Sequence, residues 1–215
     1  MKYKLVIFDL DGTLIDSLED LGEAVNHALR LAGFPEHNLL EYRQMVGHGV
    51  RNLVTQALPP QFQADEHLID RCLASFKEYY TSHIDVHTRP YPGMVDLLRE
   101  LHNAGVFLAV ASNKFQSGTE HLVSTLFPGI PFIAILGNRE GYPLKPAPEI
   151  VGEALRKAGI TAADAVLVGD SLTDMKTAAN GGVRGIAVSW GYRTLEPSAD
   201  YILVDSVAML RSVLI

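Results

Sequence analysis

Four consecutive apolar residues, Leu5 to Phe8, run directly into two carboxylates, Asp9 and Asp11, with Gly12 and Thr13 behind them. No other stretch restricts the fold as much. A continuous apolar run of strand length has no polar face to offer water, so it must be covered on both sides, as the central strands of parallel sheets are. Acidic residues at the C-terminal end of such a strand stand where open α/β sheets bind their ligands. Gly12 allows a sharp turn after the strand, and Thr13 sets a hydroxyl beside it. Asp-Gly also ends many strands with no further purpose, so the rest of the chain must decide.

The next seventy or so residues have helical rather than strand periodicity. Ser17 is placed to cap a helix running to about Leu31, with Leu18, Leu21, Val25, Ala28 and Leu29 on one face and Gly33 and Pro35 closing it. Helical patterns continue near Leu39 to Val46 and Val50 to Leu58. A longer one carries Leu68, Ile69, Cys72, Leu73, Phe76, Tyr79 and Tyr80 on a stripe. No buried strand is apparent between Leu14 and His87. The pattern predicts a helical insertion, residues 16–88, inside a core made of residues 1–15 and 89–215. Arg89 to Gly93, with Pro90 and Pro92, reads as the linker back.

Beyond it, helix and strand alternate. Helices are expected near Met94 to Asn103, Gly118 to Leu126, Ala147 to Ala158 and Thr173 to Asn180. Strands are expected at Val106 to Ala111, Phe132 to Leu136, Ala165 to Val168, Gly185 to Ser189 and Tyr201 to Val204. That alternation predicts an α/β fold: a three-layer, Rossmann-like core with a parallel sheet, right-handed crossovers and an inserted all-helical cap.

Composition narrows the function. Of 215 residues, 47% are hydrophobic and 20% charged, in the range of a soluble globular protein. The single cysteine, Cys72, excludes an internal disulfide framework, and no signal-peptide order or membrane-spanning run is present, so a cytoplasmic location is expected. A net charge of −7 without a basic block argues against a nucleic-acid partner, and nothing points to a membrane. Oligomeric state is not legible.

Three later strand ends carry polar groups. Ser112-Asn113-Lys114 offers a hydroxyl and an amide; Lys145 stands before Pro146 and Pro148; Gly169-Asp170-Ser171-Leu172-Thr173-Asp174 adds two carboxylates four residues apart. Singly, each has a bland explanation: a turn, a solvated lysine, a helix cap. Together at the ends of one predicted sheet they suit phosphate-ester hydrolysis. A nucleophilic carboxylate divides that slow reaction into two steps. A hard divalent cation on carboxylate oxygens, Mg²⁺ by this chemistry, offsets charge, while a lysine and neutral donors hold the phosphoryl oxygens. A second carboxyl serves as acid and then base.

The segments DLDGTLIDS (Asp9 to Ser17), Ser112-Asn113, Lys145 and GDSLTD (Gly169 to Asp174), in that order, resemble the haloacid dehalogenase-like superfamily, in the group with a small helical cap after the first strand. The resemblance spans essentially the whole chain. It implies that Asp9 is the nucleophile and Asp11 the general acid/base, oriented by Thr13. It further implies that Ser112, Asn113 and Lys145 bind phosphate. Asp9, the carbonyl of Asp11 and Asp170 would ligate Mg²⁺, with Asp174 a ligand or a partner of one. Within the group, MVGHGVRNL (Met45 to Leu53) and Ser112-Asn113-Lys114 are most similar to phosphoglycolate phosphatases, a small phosphorylated metabolite being the substrate. Arg51 or His48 is then the candidate to reach a substrate carboxylate. Other family outcomes are a sugar-phosphate mutase or an inorganic pyrophosphatase; outside enzymes, a phospho-acceptor signalling module shares the acidic pocket but needs no cap. A serine-esterase reading of Gly169 to Leu172 fails for want of a histidine after His121.

Overall fold

A computed structural model describes residues 2–215. Strand β1 (Leu5–Phe8) leads to a two-residue strand, β2 (Ile15–Asp16), and then to helices α1 (Leu18–Ala32), α2 (Leu39–Met45), α3 (Val50–Ala57) and α4 (Glu66–His83). After the short β3 (Arg89–Pro90) come α5 (Met94–Asn103), β4 (Phe107–Phe115), α6 (Gln116–Leu126), β5 (Phe132–Asn138) and α7 (Glu149–Ala158). The chain ends with β6 (Ala165–Gly169), α8 (Leu172–Asn180), β7 (Arg184–Val188), β8 (Tyr201–Val204) and α9 (Val207–Leu214). Contacts divide it into two compact units: Ser17–Arg89, and the residues up to Asp16 together with Pro90–Ile215.

The second of these holds a six-stranded parallel sheet in the order β5-β4-β1-β6-β7-β8. β1 lies inside it because all four of its side chains are apolar and all are buried. Leu5 and Ile7 pack with Ala109, Leu167 and the α7 residues Ile150, Val151 and Ala154 on one face; alternation sends Val6 and Phe8 to the other. Each aliphatic side chain so buried contributes about 1.5–3 kcal/mol. The register sets Phe8 opposite both Val110 and Val168. The chain therefore leaves these strands along one rim of the sheet, at the point where connections diverge to either side of β1.

Two elements differ from expectation. β4 continues past Ala111 through Ser112, Asn113 and Lys114 to Phe115, which pairs with Asn138 across an irregularity in the ladder. Polar composition suggested a turn, but these residues are buried, and the strand runs through them where its register with β5 shifts between Ala111 and Phe115. Helix α9 was not anticipated. Its eight residues give little periodic signal; Ser206 caps it by accepting from Met209 N–H, and Leu210 and Leu214 bury its inner face.

The helical unit is built around α1 and α4, with His27 of α1 stacked on Tyr79 of α4 at 4.4 Å between ring centroids. Ser17 occupies the N-cap position of α1 but makes no capping hydrogen bond, whereas Gly33 closes the helix in the left-handed conformation as expected. The fully buried Asp20 accepts from Thr88 Oγ1 at 2.6 Å, Thr88 N–H at 2.8 Å and His87 N–H at 2.9 Å. It thus ties the last residues of the unit to its first helix. Asp20→Ala orphans three donors, each costing about 1–3 kcal/mol when buried, so an unfolding midpoint lowered by several degrees is expected. Hydrogen exchange should accelerate at His87 and Thr88, and an unchanged midpoint would show that this clasp holds nothing.

Candidate active site

Asp9 is the residue after β1, and its N–H donates to Val168 of β6 at 2.8 Å, so the backbone is pinned at the rim. The turn behind it closes through Gly12 N–H to Ile15 carbonyl at 2.9 Å and Leu14 N–H to Leu10 carbonyl at 2.9 Å. Gly12 lies at φ +84°, and a Cβ there would collide with the Asp170 carboxylate. Glycine is required by the close approach as much as by the turn.

The Lys145 ammonium is enclosed by three acceptors: Asp9 Oδ1 at 2.7 Å, Asp174 Oδ1 at 2.6 Å and the Ala111 carbonyl at 2.9 Å. Three N–H groups meet three oxygens, which satisfies the cation completely. Burial disfavours its charge, but Asp174 and Asp9 outweigh that, and its pKa lies above the ordinary lysine value. Asp170 stands beside them, accepting from Tyr192 N–H at 2.6 Å. Carboxylate oxygens of Asp9, Asp170 and Asp174 lie within 4.8 Å of one another. Burial pushes Asp9 well above the usual carboxylate range; Asp174 and Asp170 add to the rise and Lys145 opposes it. Burial likewise carries Asp170 up to about 7, with Asp174 adding and the Tyr192 N–H opposing.

Three carboxylates against one ammonium leave a surplus of negative charge made of hard oxygen donors, the chemistry that takes a divalent cation. Among the described residues one other trio, Glu19, Glu23 and His87, is grouped closely enough, but it is exposed. The buried trio is also cradled: a Cβ on Gly12 or on Gly191 would overlap Asp170, and one on Gly169 would overlap Asp174. Asp174 is the most committed of the three. Its Oδ1 meets Lys145, and its Oδ2 accepts from Ser171 Oγ at 2.5 Å and Ser171 N–H at 3.2 Å, forming the capping box of α8.

Asp11 points elsewhere. Both of its oxygens accept from Lys114 Nζ, at 3.0 and 3.1 Å, in a pair whose lysine side chain is 3% exposed. Lys114, rather than Thr13, is the residue seen holding Asp11. The Thr13 hydroxyl is buried without a hydrogen bond, and the Thr13 carbonyl accepts from Trp190 Nε1 at 3.2 Å. Asn113 turns its side chain to the Lys145 backbone, donating to the carbonyl at 3.2 Å and accepting from the N–H at 2.9 Å, so it positions the lysine loop. Ser112 is buried beside them, its Oγ accepting from Lys114 N–H at 3.2 Å.

In the helical unit, Arg51 donates to Asp70 at 2.6 Å and to Glu66, both on or at the start of α4. Those carboxylates raise the Arg51 pKa and occupy its two terminal amino groups within the unit. His48 is exposed in the loop between α2 and α3.

The family model described as "Haloacid dehalogenase-like hydrolase" matches residues 6–188, a span that holds Asp9, Asp11, Lys114, Lys145, Asp170 and Asp174. The chain belongs to this family. A phosphoglycolate phosphatase from Mesorhizobium japonicum is 37% identical over 93% of this chain and 90% of its own length. Phosphoglycolate phosphatase 1 from Pseudomonas aeruginosa is 37% identical over 95% of this chain and 77% of its own. Among solved structures, CbbY from Rhodobacter sphaeroides in complex with phosphate has a TM-score of 0.76 at 27% identity, covering 97% of this chain and 96% of that one.

As a haloacid dehalogenase-like hydrolase the chain is a phosphatase-type enzyme with a buried aspartate trio fit for a metal. Two contributors escaped the sequence. Lys114 was visible as the end of Ser112-Asn113-Lys114, and a lysine inside a buried strand is itself a signal. The Trp190-Gly191-Tyr192 segment, which meets Thr13 and Asp170, had only its glycine to mark it. Among the described residues, no helix is long and apolar enough to cross a membrane.

Proposed function

We propose that this hydrolase is a Mg²⁺-dependent phosphatase that cleaves a small phosphate monoester, 2-phosphoglycolate by preference, through a phosphoryl group carried on Asp9. One observation carries most of the weight: the Asp9 carboxylate, buried at the rim, is gripped by Lys145 in the company of Asp170 and Asp174. The preference for 2-phosphoglycolate rests on the relatives that bear that name.

An Asp9 oxygen attacks phosphorus and the bond from phosphorus to the alcohol oxygen breaks, with Asp11 giving its proton to the departing alkoxide. Water then attacks the phosphorylated Asp9, Asp11 takes its proton, and cleavage of the acyl phosphate returns the Asp9 carboxylate and releases phosphate. Lys145 keeps Asp9 oriented and, with Ser112 and the backbone around Asn113, supplies donors to the phosphoryl oxygens. Asp9, the Asp11 carbonyl and Asp170 would hold the cation, and Asp174 anchors Lys145 beside them. A bound Mg²⁺ supplies charge neutralisation between Asp9 and the incoming phosphate.

Chelation is expected to abolish hydrolysis of 2-phosphoglycolate and added Mg²⁺ to restore it. Asp170→Ala should raise the Mg²⁺ requirement more than Asp174→Ala, whose oxygens are spent on Lys145 and Ser171. The pH dependence has a definite sign. Burial raises Asp170 to about 7 and raises Asp9 as well, so below neutrality Asp170 holds a proton that a cation must displace. The half-saturating Mg²⁺ concentration should fall as pH rises from about 6 to about 8 and level off above, with proton release measurable by calorimetry in buffers of different ionisation enthalpy. Full activity in excess chelator, or a Mg²⁺ affinity flat across that range, contradicts the site.

A further inference from the structure

We infer that Lys114 reads a second anionic group on the substrate, so that the hydrolase selects phosphate esters whose alcohol carries a negative charge close to the ester oxygen. This rests on Asp11 being the residue that faces the leaving group. A general acid must come within about 2.6–3.2 Å of the oxygen it serves. Whatever holds Asp11 from the side therefore lies within one further contact of the departing alcohol. Lys114 Nζ holds both Asp11 oxygens, at 3.0 and 3.1 Å.

In 2-phosphoglycolate a single methylene separates the ester oxygen from the carboxylate. When the ester oxygen reaches Asp11, the carboxylate must come close to Asp11 too. Once Asp11 has given its proton to the departing alcohol, two carboxylates stand at that range and repel strongly in a site with little water, and the arrangement is tolerable only with a cation between them. Lys145 does not serve, since its ammonium is held at Asp9 and Asp174 and not at Asp11. Arg51 is bound by Glu66 and Asp70. Lys114 stands in the required place, its side chain 3% exposed and its ammonium against the one carboxylate that faces the leaving group.

The test compares 2-phosphoglycolate with ethyl phosphate, which replaces the carboxylate by a methyl group, and with 2-phospholactate as a second ester whose carboxylate lies one carbon from the ester oxygen. For Lys114→Met, kcat/KM on the preferred anionic ester should fall roughly 10²-fold, the scale for loss of a desolvated charge partner. On ethyl phosphate the loss should stay below about 10-fold, reflecting only the hold on Asp11. Lys114→Arg should keep part of the preference. Should Lys114→Met fold poorly, the non-turning-over Asp9→Asn protein crystallised with 2-phosphoglycolate is expected to show the carboxylate within hydrogen-bond distance of Lys114 Nζ. Equal losses on charged and neutral esters, or a carboxylate bound away from Lys114, overturn the inference while leaving 2-phosphoglycolate as substrate. A wild-type preference for 2-phospholactate over 2-phosphoglycolate that vanishes in Lys114→Met leaves the inference standing and removes 2-phosphoglycolate. No preference for either anionic ester over ethyl phosphate removes both.

Discussion

Asp9→Asn is expected to lower kcat by a factor on the order of 10⁴–10⁶, the scale seen when a covalent nucleophile is removed. The amide is a poor nucleophile and a weaker ligand for a cation, yet it matches the carboxylate in size, so the rim need not rearrange. Lys145 loses one charged partner but keeps Asp174 and the Ala111 carbonyl, and the fold should survive. Burial and the neighbouring carboxylates push the Asp9 pKa upward, so removing that charge relieves repulsion, and the metal-free variant should melt no lower than the parent near pH 8. Acid quench during turnover should capture phosphate on the parent protein and none on Asp9→Asn. Asp11→Asn should slow both chemical steps instead, because one carboxyl supplies the acid and later the base. Near-normal turnover by Asp9→Asn, or phosphate captured on a different residue, would end the covalent route.

Lys145→Met is expected to act on stability as well as on rate. Three N–H groups vanish together, leaving Asp9, Asp170 and Asp174 buried with no cation among them. Removing one partner of a buried pair costs about 3–5 kcal/mol, and that loss is expected in metal-free protein near pH 8. The defect should shrink as pH falls. Without Lys145 the pKa values of Asp9 and Asp170 rise further above their unfolded values, so between the ordinary aspartate range and neutrality the folded state binds more protons than the unfolded one. Its stability therefore increases on acidification. Saturating Mg²⁺ should rescue part of the same loss by supplying positive charge to the trio. Turnover should drop roughly 10²–10³-fold, as when a donor to a developing oxyanion is deleted. A melting defect that is the same at pH 6 and pH 8, and unaffected by Mg²⁺, would mean that Lys145 contributes packing rather than charge.

Much of the rim was legible because its residues come directly after apolar runs. Leu5 to Phe8 and Ala165 to Val168 could only be buried strands, so Asp9 and Asp170 had to stand at strand ends, and the alternation beyond Met94 required those strands to run parallel. Legibility failed where a polar residue sits inside a strand for a reason that is not local. Ser112, Asn113 and Lys114 continue β4 because pairing with β5 resumes beyond them at Phe115 and because Asp11 and the Lys145 backbone satisfy polar atoms of Lys114 and Asn113. Their own composition favours a turn. Arg51 illustrates the opposite case: one exposed arginine after a Gly-x-Gly loop invites a substrate role, while Glu66 and Asp70, some fifteen and nineteen residues away, meet its charge.

The sequence alone determined the parallel sheet, the helical insertion and the presence of carboxylates and a lysine at strand ends, since all of these result from the spacing of apolar and polar residues along the chain. Tertiary structure alone decided which charges meet. Asp11 and Asp9 are two residues apart, yet Lys114 holds the first and Lys145 the second. Periodicity reports which face a side chain takes, not which partner lies across from it. Partners 103 and 136 residues distant along the chain come together only when β4, which carries Lys114, flanks β1 and the segment after β5, which carries Lys145, returns to the end of β1.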